Sequence, residues 1–167
     1  MVHGLTPPAG PPAPGPPPGS PSPGPPAGRR RPAGHRTVPH TADLRVEAWA
    51  PDREGCLAEA VAGLVDAFAD RAAARPHRTA SLRLPPAPDE DLLVALLEEV
   101  VYRLDVAGEL PVAVEAAPVP GGGLDVRLAM AGTGEVEAVG ALPKAVSLHG
   151  LRMGAGDGWS CSFTVDV

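Results

Sequence analysis

Lysine is almost absent from this chain. Lys144 is the single lysine in 167 residues, and arginine takes every other basic position. An ammonium is a compact point charge that a planar guanidinium does not replace, so its one appearance marks position 144. Cysteine is nearly as scarce. Cys56 and Cys161 show neither a CxxC spacing nor a metal-ligand pattern, and both read as small buried or half-buried side chains. No apolar run is long enough to span a bilayer. The amino-terminal stretch lacks the apolar segment of a secretory signal, and its arginines follow the proline run. These absences set the expectation of a cytoplasmic protein. Nucleotide signatures are missing too: there is no GxxxxGK[ST], and Gly121-Gly122-Gly123 precedes a strand pattern, which makes it a hairpin turn. Nothing repeats at a solenoid period.

What is abundant is proline and glycine, concentrated at the start. Residues 1–36 are Pro, Gly, Ala and Ser with little apolar bulk and read as a disordered leader; residues 37–167 form the expected domain. The leader holds Arg29, Arg30, Arg31 and Arg36 and no acid, which takes the net charge from −6 for the chain to −10 for the rest. So acidic a domain is a poor direct ligand for nucleic acid, whose affinity comes from basic side chains neutralising phosphates. It suits a basic protein partner or a hard cation.

Within the domain, residues 43–50 alternate, with Leu44, Val46 and Ala48 against Arg45, Glu47 and Trp49. Asp52 is placed to cap a helix running to about Arg71 on Leu57, Val61, Leu64 and Phe68. A strand is expected over 80–84, then a second helix capped by Asp89 and carrying Leu93, Leu96, Leu97, Val100 and Leu104. Strands over 112–116, 124–130, 145–153 and 159–165 complete the chain. This order predicts an α+β fold: a two-layer sandwich with two helices packed on one face of a mixed, largely antiparallel sheet.

Chemistry has few places to reside. Asp43 opens the first strand of this pattern, and Asp166 and Val167 close the last. If the two strands are neighbours, two side-chain carboxylates and a terminal one converge at one sheet end, an all-oxygen set that favours calcium or magnesium over zinc. The other reading is of solvated or capping aspartates. His40 either orients a ligand or satisfies backbone at the strand entry. Ser147 and His149 face the same way in a strand, yet lack the third orienting group and oxyanion site of a nucleophile pair.

Four segments carry a resemblance when taken in order: His40-Thr41-Ala42-Asp43; the Leu-rich helix from Leu92-Leu93 to Tyr102-Arg103-Leu104-Asp105; Lys144-Ala145-Val146-Ser147-Leu148-His149; and Asp166-Val167. From His40 to Val167 the chain resembles the archease family, departing from its pattern at Leu142, Pro143 and Leu148. The resemblance implies a non-enzymatic protein cofactor of an RtcB-type RNA ligase, promoting guanylylation and multiple turnover of the ligase in tRNA splicing and RNA repair. It also implies calcium held by Asp43, Asp166 and Val167, and a partner-binding surface of Lys144, His40 and His149. The alternatives are a chaperone-like modulator of a tRNA methyltransferase, and a metal-dependent hydrolase built on Asp43, Asp166 and His149.

Overall fold

The computed structural model describes residues 31–39 and 43–167. Strands β1 (Gly34–Pro39) and β2 (Asp43–Ala50) lead into helix α1 (Arg53–Asp66) and the short β3 (Ala69–Asp70). Strand β4 (Arg78–Leu84) and helix α2 (Asp89–Ala107) follow, then β5 (Glu109–Pro118) and β6 (Leu124–Gly132). The chain ends with β7 (Glu137–Ala138), β8 (Ala145–Gly156) and β9 (Gly158–Asp166). The fold is α+β, as expected, and every strand pairing among the described residues is antiparallel. The strands divide into a four-stranded sheet, β1-β2-β9-β8, a three-stranded sheet, β4-β6-β5, and the small pair β3-β7.

The alternation in β2 places Val46, Ala48 and Ala50 in the core and leaves the intervening side chains on the open face. Its neighbour β9 contributes Cys161, Phe163 and Val165 to the same core. Helix α1 touches both β2 and β5 and is buried all round from Ala60 to Val65, whereas α2 packs on β8 and β5. Burying a Leu, Val or Phe side chain contributes about 1.5–3 kcal/mol, so α1 and the Leu92, Leu93, Leu96 and Leu97 face of α2 hold the two larger sheets together.

Among the boundaries that differ from the sequence reading, three have a clear physical reason. Strand β1 begins at Gly34, inside the stretch read as leader. It has little apolar periodicity; what fixes it is the ladder to β2 and His35, whose ring nitrogens reach Glu59 at 2.7 Å and Asp66 at 2.9 Å on α1. Helix α1 stops at Asp66 instead of Arg71, because the Phe68 carbonyl accepts from Val139 and Gly140 and the chain turns into β3. Asp52 caps α1 by accepting from the Gly55 amide at 2.6 Å. Asp89, by contrast, is the first residue of α2, where it joins Glu90 and Asp91 in complementing the helix dipole; Pro88 takes the cap position.

Candidate functional site

The candidate site is set by register. In the β2–β9 ladder Asp43 lies directly opposite Asp166, and in the β8–β9 ladder Asp166 lies opposite Ala145. Cross-strand partners share a sheet face and hold their Cβ atoms about 4.5–5.5 Å apart. Like charges so opposed repel, yet among the described residues neither aspartate makes an ion pair or a side-chain hydrogen bond. Lys144 is drawn to the same place by its backbone, whose amide donates to the Asp166 carbonyl at 2.8 Å. Its side chain is exposed, as are Asp166 and Val167, while Asp43 is half-buried. The pairing of the two strands thus brings Asp43, Asp166, Val167 and Lys144 to one sheet end.

The donor chemistry there is oxygen only, with formal negative charge in excess, and that suits a hard divalent cation. Among the described residues no group of three or more His, Cys, Asp and Glu side chains is placed to hold a metal. Two aspartates therefore fit a cation only with further oxygens.

The histidines are placed less favourably. His40 lies outside the described residues. His149 is exposed and sits in a bulge of β8, where the register to β9 slips between Ser147 and Arg152. Gly150 permits that bulge with a φ of 72°, a left-handed conformation L side chains rarely adopt. The slip breaks the simple alternation that would put Ser147 and His149 side by side; instead the Ser147 hydroxyl accepts from the His149 amide at 3.3 Å. His149 stands four positions beyond Ala145, so it is carried away from the aspartate pair.

Two features escaped the sequence reading. A groove of about 720 Å³ runs between α2 and the segment before β8, and Tyr102, Asp105, Leu142 and Lys144 line it. The signal was present: Tyr102 falls outside the apolar repeat of α2, so a helix places it in solvent, where it is 60% exposed. The second feature is a pair of buried thiols. Cys56, on α1, and Cys161, on β9, are both buried; the neighbouring Cys56 thiol, with burial, pushes the Cys161 thiol far above its ordinary range. The same neighbour lowers Cys56, whose thiol donates to the Ala48 carbonyl at 3.8 Å. A thiol so protonated is a poor nucleophile, and the pair is core.

Comparison with known proteins gives a consistent picture. The model of the "Archease protein family (MTH1598/TM1083)" matches residues 35–167. Two proteins of Mycobacterium tuberculosis, from strains CDC 1551 / Oshkosh and ATCC 25618 / H37Rv, each named "Probable protein archease", are 52% identical over 136 residues, covering 81% of this chain and 75% of theirs. The solution structure of Methanobacterium thermoautotrophicum protein 1598 superposes with a TM-score of 0.63 at 18% identity, covering 80% of this chain and 99% of that one. A 2.0 Å crystal structure from Thermotoga maritima, described as an archease and possible chaperone, gives 0.56 at 19% identity, covering 79% and 96%. At such identities the two structures speak to the fold, and the fold is the same.

Proposed function

The chain belongs to the archease family, and from that premise we propose that it is a calcium-binding protein cofactor of an RtcB-type RNA ligase and no enzyme itself. In this reading Asp43, Asp166 and the Val167 carboxylate hold the cation, with magnesium as a weaker substitute. The observation that carries it is the cross-strand opposition of Asp43 and Asp166 with no cationic partner among the described residues. A bound cation would supply positive charge that offsets the repulsion between two facing carboxylates.

The chain's own residues do the rest. The Lys144 amide, tied to the Asp166 carbonyl, fixes where the lysine leaves the backbone, so its ammonium is presented beside the acidic end. The partner is a protein with a basic rim near its nucleotide pocket, not an RNA. A cofactor of this kind raises turnover by binding the guanylylation-competent ligase more tightly than the resting one; equal affinity for both would shift nothing. No helix among the described residues is long and apolar enough to cross a membrane, and a cytoplasmic location belongs to the same proposal.

Ligation under multiple-turnover conditions with the cognate ligase tests this. The protein should raise turnover when calcium is present, and a ligase that cycles equally fast without it would end the proposal. The naming of the Thermotoga maritima relative as a possible chaperone favours a second reading, a chaperone-like modulator of a tRNA methyltransferase. In that case the protein would suppress methyltransferase aggregation and leave ligation unchanged.

A further inference from the structure

We infer that the groove beside Lys144 is a docking surface for a partner-protein segment that presents an apolar side chain flanked by arginine or lysine. The ligase reading supplies only the first binding probe; the groove is argued from its own residues. Large hydrophobic side chains in solvent are the informative exception on a protein surface when they cluster. Here Tyr102 and Leu142, 60% and 56% exposed, stand in the groove, and Val106, 62% exposed, continues the patch one helical turn along α2. Buried Leu104 and half-buried Val101 form the apolar floor.

Charge selects the occupant. Glu98 and Asp105 border the groove, and neither is in an ion pair among the described residues, whereas the adjacent Glu99 is held by Arg103 at 2.6 Å. Among the described residues, Lys144 is the only basic one of the lining. An apolar centre with an acidic rim is complementary to a segment with an apolar anchor and basic flanks. A second copy of this chain is disfavoured, because a two-fold interface sets each patch against itself and would bring Glu98 and Asp105 against their own equivalents. The groove also shares Lys144 with the aspartate end, so one partner can span both.

Tyr102 is the only tyrosine in the chain, so tyrosine-selective labelling gives one ring signal by nuclear magnetic resonance. The full-length protein is titrated with purified RtcB-type ligase, as wild type and as the double variant Val106→Ser/Leu142→Ser, which retains the reporter. We expect the Tyr102 signal to move on binding, the double variant to lose at least about tenfold in affinity, and salt to weaken the complex. Calcium binding and melting temperature should stay as in wild type, since both substitutions are in solvent. Ligase binding that leaves Tyr102 unmoved, or a double variant within about twofold of wild type, would overturn the groove while leaving the ligase reading intact. If wild type fails to bind ligase, the ligase reading falls alone, and two synthetic peptides decide the groove: leucines alternating with arginines, or with glutamates. A Tyr102 shift with the arginine peptide only supports the inference; no shift, or equal shifts, refutes it. A shift that depends on protein concentration alone, or on deleting residues 1–30, would assign the groove to a second copy or to the leader and overturn the partner assignment.

Discussion

In the three-stranded sheet, opposite charges are matched, within the β4–β6 ladder and between its outer strands. Arg83 and Asp125 are cross-strand partners joined by two hydrogen bonds of 2.6 and 2.9 Å, and Glu109 receives both Arg78 and His77. At the end of the four-stranded sheet the corresponding arrangement is of like sign, Asp43 against Asp166, with the lone lysine of the chain alongside. Opposite charges facing each other across a ladder contribute roughly 0.2–1 kcal/mol, and like charges cost a similar amount. A fold that pairs opposite charges across its ladders, Arg36 with Glu47 in this same sheet included, and opposes like charges at this end is consistent for stability in the first case and departs from it in the second. Such departures concentrate where a site is being kept.

Breaking the two regions should have unlike consequences. The largest effect is expected from Lys144→Ala, which should lower ligase stimulation by at least about tenfold while leaving the melting temperature and calcium affinity in place. Lys144→Arg should recover little of it. The matching change in the other sheet, Arg83→Ala, should leave stimulation intact. Multiple-turnover ligation on the three variants separates these outcomes, and full activity of Lys144→Ala would make that residue an ordinary surface charge.

A second, intermediate effect concerns where the domain begins. Deleting residues 1–30 should leave the melting temperature unchanged. Deleting residues 1–36 should lower it by about 5 °C or more, because the cut removes half of β1 and the two His35 hydrogen bonds to α1. Thermal unfolding of the two truncations decides it, and equal melting temperatures would make β1 incidental.

The third effect sharpens the matched region. Arg78 and then His77 hold the Glu109 carboxyl down at about 2, below its ordinary 4.5. A depressed carboxyl contributes stability above its unfolded value and loses it as pH falls through the folded one. Glu109→Gln should therefore flatten the fall in stability between about pH 4.5 and 2, with little change in the shape of the curve at neutral pH. An acid limb identical to wild type would remove Glu109 from the account. The smallest effect is that of Arg83→Ala on stability, a shift of about one or two degrees for an exposed pair.

Much of this was legible in the sequence where one periodicity dominated. The alternation of Val46 and Ala48, and of Cys161, Phe163 and Val165, survives as buried faces, and the leucines of α2 lie inside. The end-to-end meeting of Asp43 and Asp166 followed from two strands and one condition, that they be neighbours, and β2 pairs with β9. What was hidden depended on partners distant in the chain. His35 gives no local signal, and its meaning comes from Glu59 and Asp66. Nothing around Phe68 announces that Val139 and Gly140 will take its carbonyl and end the helix. Likewise the slip in β8 that carries His149 from the site is a property of the ladder and not of the Ser-x-His spacing.

Whether Asp43 and Asp166 are opposed in order to hold a cation is decided by thermal unfolding of wild type and Asp43→Asn with and without calcium. A ligand that binds the native state alone adds about 2.7 kcal/mol at one hundred times its dissociation constant. Calcium should therefore raise the wild-type melting temperature by several degrees. Asp43→Asn, relieved of repulsion but short of one ligand charge, should start slightly higher without calcium and gain little from it. An equal calcium response in both proteins, or none in wild type, would contradict the account.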